Sequence, residues 1–196
     1  MPMVGCEMAV TARARIGWGK FIECGELLYG KRFSLKMKGR VYWGCMRSAM
    51  LYGSETWCLR ESDMAILRTT ERAMVRAMCG VKLMEKRKTE ELMAMLGLEE
   101  MVDKLAKANG VQLYGHVLRK EDGHCLRRTL EYEVDGRRRR GRPKRMWRSQ
   151  VEEELTKVGL KKEYALYRAR WREVVRRICC RSGFDPATPV DGDKTG

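Results

Sequence analysis

Gly136-Arg137-Arg138-Arg139-Arg140-Gly141-Arg142-Pro143-Lys144-Arg145-Met146-Trp147-Arg148 carries eight cations and no acid. Four adjacent arginines cannot be buried together, because each unpaired charge taken out of water costs several kcal/mol. The run therefore faces water or a polyanion. Immediately after it, Trp147, Val151, Leu155 and Val158 recur at spacings of four, four and three, the apolar stripe of an amphipathic helix. The same helical spacing returns along most of the chain.

Two geometries fit the basic run. Arg140-Gly141-Arg142-Pro143 is the core of an AT-hook, in which arginines flanking a glycine let an extended chain lie in a narrow minor groove. Alternatively, Pro143 takes the first helical position, where its missing N–H costs nothing. Lys144 and Arg145 then stand at the positive end of the helix dipole, where cations are unfavourable unless an anion binds. Free N–H groups with Arg142, Lys144 and Arg145 would form a phosphate clamp. This helix-entry clamp is the preferred reading. The plainer alternative is a solvated basic loop that doubles as a localisation signal.

Charge reinforces a polyanionic partner. The 196 residues carry 41 Lys plus Arg against 26 Asp plus Glu, a net +15, concentrated in the C-terminal half. That balance favours nucleic acid first and an anionic membrane surface second. No charge-free stretch reaches the roughly 18 residues of a membrane span, and residues 1–10 lack the pattern of a signal peptide. The eight cysteines contain no Cys-x-x-Cys pair, so they read as small hydrophobes of a reduced, intracellular protein. The expected location is the nucleus.

The expected fold is mainly α: short helices packed in one or two small bundles, five to seven in number, with at most two short strands and a disordered C-terminal tail. Glu7 to Tyr29 is helical but interrupted by Gly17, Gly19 and Gly25. A second helix starts after Ser34, a good N-cap, and ends near Tyr52 before Gly53. Residues 55–59 read as extended. Ser62 caps a third helix that stops at Gly80. Met64, Leu67, Met74, Val75 and Met78 form its apolar stripe, while Arg68, Arg72 and Arg76 share a solvated face moderated by Glu71.

Thr89 to Leu96, Gly97, and a helix from Glu99 to Arg119 form a helical hairpin in which packing outranks DNA recognition. Gly110 and Gly115 weaken the second helix but allow close contact or a bend. Residues 129–134 read as a short strand. Glu152, Glu153 and Glu154 read as a solvated face. Lys161 to Cys180 is the last helix, with Tyr164, Tyr167, Trp171, Val174, Val175 and Ile178 on its docking side and Arg168, Arg172 and Arg176 on another. The implied organisation is a helical region at 7–121, a turn and basic linker at 122–142, a basic two-helix module at 143–182 and a tail at 183–196.

Catalytic chemistry is harder to find. No nucleotide-binding loop, nucleophile elbow or His-Glu-x-x-His pair occurs. His116 reads as a helix-end residue. His124 and Cys125 lack paired ligands, and Cys179 and Cys180 could join them only through tertiary folding, so no metal site is expected.

One ordered series of segments is more specific. Residues 51–57 (Leu-Tyr-Gly-Ser-Glu-Thr-Trp) precede Glu71-Arg72-Ala73-Met74 and Met78-Cys79-Gly80. Gly115-His116-Val117-Leu118-Arg119, the Arg140-Gly141-Arg142-Pro143-Lys144 core with Trp147, and Arg170-Trp171-Arg172 follow. This order resembles the C-terminal, thumb and post-palm region of reverse transcriptases of non-LTR (LINE-type) retrotransposons. The family's Phe/Tyr-Ala-Asp-Asp palm motif is absent from the sequence. The resemblance thus implies a fragment beginning just after the palm, which contacts template, primer or target DNA without catalysis. It also implies an apolar face, within residues 7–29, left by the missing palm and open to self-association.

The expected function is non-catalytic binding of a DNA or RNA backbone, with no cofactor, metal, small-molecule substrate or membrane. The expected contacts are Arg137, Arg138, Arg139, Arg140, Gly141, Arg142, Pro143, Lys144, Arg145, Arg148, Arg168, Arg172 and Arg176. The alternatives are an AT-hook chromatin protein and a translated remnant without function.

Overall fold

Ser34 and Gly53 bracket a helical rod that shows how local chemistry sets the elements. The Ser34 hydroxyl accepts the Met37 N–H at 3.3 Å, a side-chain cap for an otherwise orphaned donor. At the other end Gly53 takes φ +77°, a left-handed conformation that glycine adopts without a Cβ clash. Between them the chain runs through α3 (Leu35–Val41), a π-helical segment (Tyr42–Arg47) and α4 (Ser48–Leu51). The computed structural model describes residues 6–82, 84–132, 146–159 and 161–179.

The other elements are α1 (Cys6–Glu23), α2 (Gly25–Tyr29), a 3-10 turn (Ser54–Thr56), α5 (Glu61–Met78), α6 (Thr89–Leu96), α7 (Val102–Leu118), α8 (Cys125–Glu131), α9 (Trp147–Lys157), a second 3-10 turn (Lys162–Leu166) and α10 (Arg168–Cys179). The fold is mainly α, and its helices are shorter and more numerous than the five to seven expected. Among the described residues no strand forms, and no described helix is long and apolar enough to cross a membrane.

Both expected strands are corrected. Residues 54–56 make a 3-10 turn, and Trp57 to Arg60 then run extended without a partner strand. Helix α9 satisfies their acceptors instead: Trp147 Nε1 donates to the Glu55 carbonyl at 2.9 Å and Gln150 Nε2 to the Leu59 carbonyl at 2.7 Å. Residues 129–131 belong to α8. The His124 ring accepts the Leu126 N–H at 3.2 Å, and Arg127 pairs with Glu131 one turn on at 2.7 Å. Residues 133 and 134 lie outside the described residues, as does the expected tail at 183–196.

Helix α5 begins two residues earlier than a cap at Ser62 implies, with Arg60 in the cap position. Asp63 accepts the Arg60 N–H at 2.8 Å. Its apolar stripe is buried as the spacing requires, and Gly80 adopts φ +67° just beyond its end. Arg72 is exposed, whereas Arg68 pairs with Glu61 and Asp103 and Arg76 donates to the carbonyls of Lys82 and Glu85. Glu71 does not moderate this row. It is fully buried, where Arg47 Nη2 meets it at 2.8 Å, the Tyr42 hydroxyl donates at 2.9 Å and the Val102 N–H at 2.7 Å. Arg47 also donates to the Glu100 carbonyl.

Two apolar clusters result. The first gathers α1 to α6 with the start of α7, including Val10, Phe21, Tyr42, Met50, Leu67, Met74, Leu92 and Val102. The second joins the end of α7 to α9, α10 and the 3-10 turn between them, through Val111, Tyr114, Val151, Leu155, Trp171, Val174 and Ile178. Helix α7 contributes to each. Helix α1 buries Val10, Ala14, Gly17 and Phe21 and leaves Met8, Ile16, Trp18 and Ile22 exposed.

Candidate nucleic-acid interface

The expected contacts divide by position. Arg137, Arg138, Arg139, Arg140, Gly141, Arg142, Pro143, Lys144 and Arg145 lie outside the described residues. Arg148 lies on α9, and Arg168, Arg172 and Arg176 lie on α10, the two helices that contribute to the second apolar cluster with α7.

Helix α9 begins at Trp147, after an extended Met146. The first helical position is thus Trp147, not Pro143, so the clamp in the form expected from the sequence does not hold. The apolar stripe explains the start. The indole of Trp147 is held by the Glu55 carbonyl and sits edge-on to Tyr114 with centroids 6.1 Å apart, while Val151 and Leu155 are buried one and two turns on.

Arg148 occupies the first turn, where the helix dipole disfavours a cation. Its compensation is internal: Nε lies 2.9 Å from Glu152, which also accepts the Tyr114 hydroxyl at 2.8 Å. The bond to Glu152 raises the Arg148 guanidinium above its ordinary value. Burial pushes the Glu152 carboxyl up, but Arg148 and Tyr114 outweigh it and leave it below its ordinary value. Glu152 is therefore the clip between α9 and α7, and Arg148 is its partner within α9.

The three acids of α9 do not form one solvated face, contrary to expectation. Only Glu153 is exposed. Glu154 is buried and holds Lys157 at 2.7 Å and Lys107 of α7 at 3.3 Å. An acid that lands at a helix–helix contact is tolerated when cations from two directions meet it.

The last helix is also broken. Lys162 to Leu166 form a 3-10 turn, Tyr167 is extended and exposed, and α10 starts at Arg168. Trp171, Val174 and Ile178 are buried against α7, with Tyr164 and Val175 half-buried beside them. Arg168, Arg172 and Arg176 are exposed. Arg176 pairs with Glu173 at 3.0 Å, and Arg170 lies over the Tyr164 ring at 5.2 Å.

Sequence reasoning missed Arg119 as a candidate contact. It ends α7, and its Nη1 donates to the Ala165 carbonyl at 2.9 Å. Burial, and then the charge of nearby Arg168, lower the Arg119 guanidinium from its ordinary value. The stretch Gly115 to Arg119 stood out in sequence, but no spacing rule joins residue 119 to residue 168. His116 is exposed in the last turn of α7, as its helix-end reading required. Among the described residues, no group of three or more His, Cys, Asp or Glu is placed to hold a metal ion.

No protein-family model matches the chain, and neither a curated protein nor a solved structure is significantly similar to it.

Proposed function

We propose that the chain is a non-catalytic, nucleic-acid-binding fragment of a retrotransposon reverse transcriptase, which engages the phosphate backbone through the segment Arg137 to Arg148. One observation carries the binding role. An acid-free series of cations leads directly into a helix docked on the folded body, through Trp147 on the Glu55 carbonyl. Counterion release supplies affinity to such a series, and a docked end limits the chain freedom lost on binding. Exposed Arg168 and Arg172 extend the positive surface beyond it. The family assignment is supported by the ordered series of motifs from Leu51 to Arg172, and the lack of a palm motif among these 196 residues supports the non-catalytic reading. A nuclear location follows from this reading.

The test is the salt dependence of binding to duplex DNA and to an RNA–DNA hybrid. Replacing Arg139, Arg140, Arg142 and Lys144 with Ala removes four phosphate contacts. The plot of log K against log[salt] then flattens by roughly 3 to 4 units on duplex DNA, at about 0.9 per contact. An unchanged slope overturns the proposal. A marked preference for A·T tracts, lost in the Pro143→Ala variant, favours the minor-groove hook over backbone binding.

A further inference from the structure

We infer that the seam between the C-terminal half of α7 and α10 is a second contact surface for a nucleic-acid backbone, built by Gln112, His116 and Arg119 with Arg168 and Arg172. This rests on the reading of the basic segment given above and adds residues of α7 that lie outside that segment.

The seam exists because α7 has no side chain at Gly115. The indole of Trp171 fills that space and donates to the Val111 carbonyl at 3.2 Å, so α10 lies close against α7 and their outer flanks run together. Arg168 and Arg172, four residues apart, share one flank of α10 about 6 Å apart along the axis. Arg119 donates to the Ala165 carbonyl at 2.9 Å, three residues before Arg168, which places the start of α10 beside the end of α7, and the charge of Arg168 disfavours that of Arg119. Gln112, His116 and Arg119 continue along the open side of α7, where they line a shallow hollow with Asn109, Leu113 and Glu55.

The charge of the seam is not answered from within. Among the described residues, neither Arg119, Arg168 nor Arg172 has an acidic partner within ion-pair distance. Glu173, the acid of α10, is held by Arg176 and Arg177. At the far end of the hollow Asn109 donates to the Ser54 hydroxyl at 2.8 Å, and Glu55 lies beside it. That end is about 15 Å along α7 from Arg119, and its acid sets the limit of the surface. Glu121, exposed beyond Arg119, bounds the other end.

The chemistry fits a strand backbone better than an isolated anion. Three arginines and two hydrogen-bonding side chains, Gln112 and His116, form a row, and phosphate and sugar oxygens are contacted by just this mix. A repeating anion uses the whole row and so gains from anchoring at Arg119, whose side chain the Ala165 carbonyl already holds in place. Binding would relieve the repulsion between Arg119 and Arg168.

The test uses the full chain with short duplex DNA and an RNA–DNA hybrid, and reads affinity across a salt series. The double variant Arg168→Ala/Arg172→Ala is made in the wild-type chain and in a chain whose Arg139, Arg140, Arg142 and Lys144 are already Ala. Both replaced side chains are exposed, so thermal unfolding is expected to be unchanged. The slope flattens by about 2 units on duplex DNA in each background, at roughly 0.9 per contact. If the double variant unfolds earlier than its parent, Arg172→Gln alone replaces it and flattens the slope by about 1 unit. Gln112→Glu, which introduces a like charge against phosphate, weakens binding in both backgrounds. An unchanged slope in both backgrounds, with the basic-segment variant still flattened, overturns the seam and leaves the basic segment standing. No binding by the wild-type chain to either nucleic acid overturns both. Binding to vesicles of anionic lipid that depends on Arg168 and Arg172, with no such dependence for nucleic acid, also overturns the seam as a nucleic-acid surface.

Discussion

Trp171 occupies the space that a side chain at residue 115 would need: a Cβ on Gly115 would stand 2.0 Å from the indole Nε1. The flexible end of a long side chain could yield, but a buried indole bonded to the Val111 carbonyl has nowhere to go. Gly115→Ala is therefore expected to cost about 1–3 kcal/mol or more by overpacking. It also forces α10 away from α7. Chemical denaturation of the variant checks the cost, and a midpoint equal to wild type would refute the close approach.

Trp147 joins the basic segment to the body through the Glu55 carbonyl and the edge of Tyr114. Trp147→Ala is expected to lower stability by about 3 kcal/mol, since a large aromatic side chain and its hydrogen bond are both lost. Trp147→Phe keeps the ring contact and loses less. The order of the two midpoints in urea tests the arrangement.

Arg47 and Glu71 are both buried, and each is the other's counter-charge. Glu71→Gln leaves the guanidinium without its carboxylate and is expected to cost about 3–5 kcal/mol. Replacing Arg47 and Glu71 together with Met and Gln should cost less than the sum of the single changes. A double-mutant cycle measures that coupling.

The acid limit of stability lies in part on α9. Burial alone would raise the Glu154 carboxyl, but Lys157 and Lys107 overcome it and hold it below its ordinary value, and Glu152 is depressed likewise by Arg148 and Tyr114. A depressed folded-state value means stability that is present above the unfolded range, near pH 4.3 for a free Glu by an approximate reference. That stability is lost as pH falls through the folded values. Glu154→Gln should therefore destabilise at neutral pH, and the difference from wild type should shrink below about pH 4. At the alkaline end Tyr114 is pushed up to about 12 by burial and by Glu152, so its contribution is whole below the free tyrosine value, about 10, and is lost as pH rises from there through the folded value. Stability measured from acid to neutral pH for both proteins decides the matter.

Thiol labelling should divide the cysteines by environment. Cys45 and Cys125 are exposed, whereas burial pushes the Cys6 thiol up to about 11 and raises Cys79 as well. The thiolate is the reacting form. Brief alkylation at neutral pH followed by mass spectrometry should find Cys45 and Cys125 modified before Cys6 and Cys79. The reverse order would contradict the burial of α1 against α5.

Local signals in the sequence were sufficient wherever a residue acts on its own neighbourhood. Ser34 caps, Gly53, Gly80 and Gly97 turn, and the stripe of α5 is buried, because each depends on chemistry within a turn or two. The misread acids, Glu71 and Glu154, have partners that arrive from 24 and 47 residues away in the chain. Charged residues next to arginines look solvated when only near neighbours are visible. The strand expected at residues 55–59 failed for a related reason, since side chains of α9 rather than a second strand satisfy its carbonyls. On α10, Arg168 and Arg172 were legible as a row, but the nearness of Arg168 to Arg119 depends on the close approach at Gly115, which in sequence looked only like a weak point in a helix.

The sharing of α7 between the two apolar clusters has a consequence for synthesis. A ribosome releases the chain from its N-terminus, so residues 6–106 emerge with all the partners of the first cluster before residues 147–179 exist as a folded unit. Until then the second half of α7 presents Val111 and Tyr114 without a cover, on a stretch that Gly110 and Gly115 already soften. That half of the helix gains its final rigidity only when Trp147 and Trp171 arrive. A nascent chain stalled before residue 147 therefore carries an adhesive, half-formed α7 and is the species most in need of a chaperone.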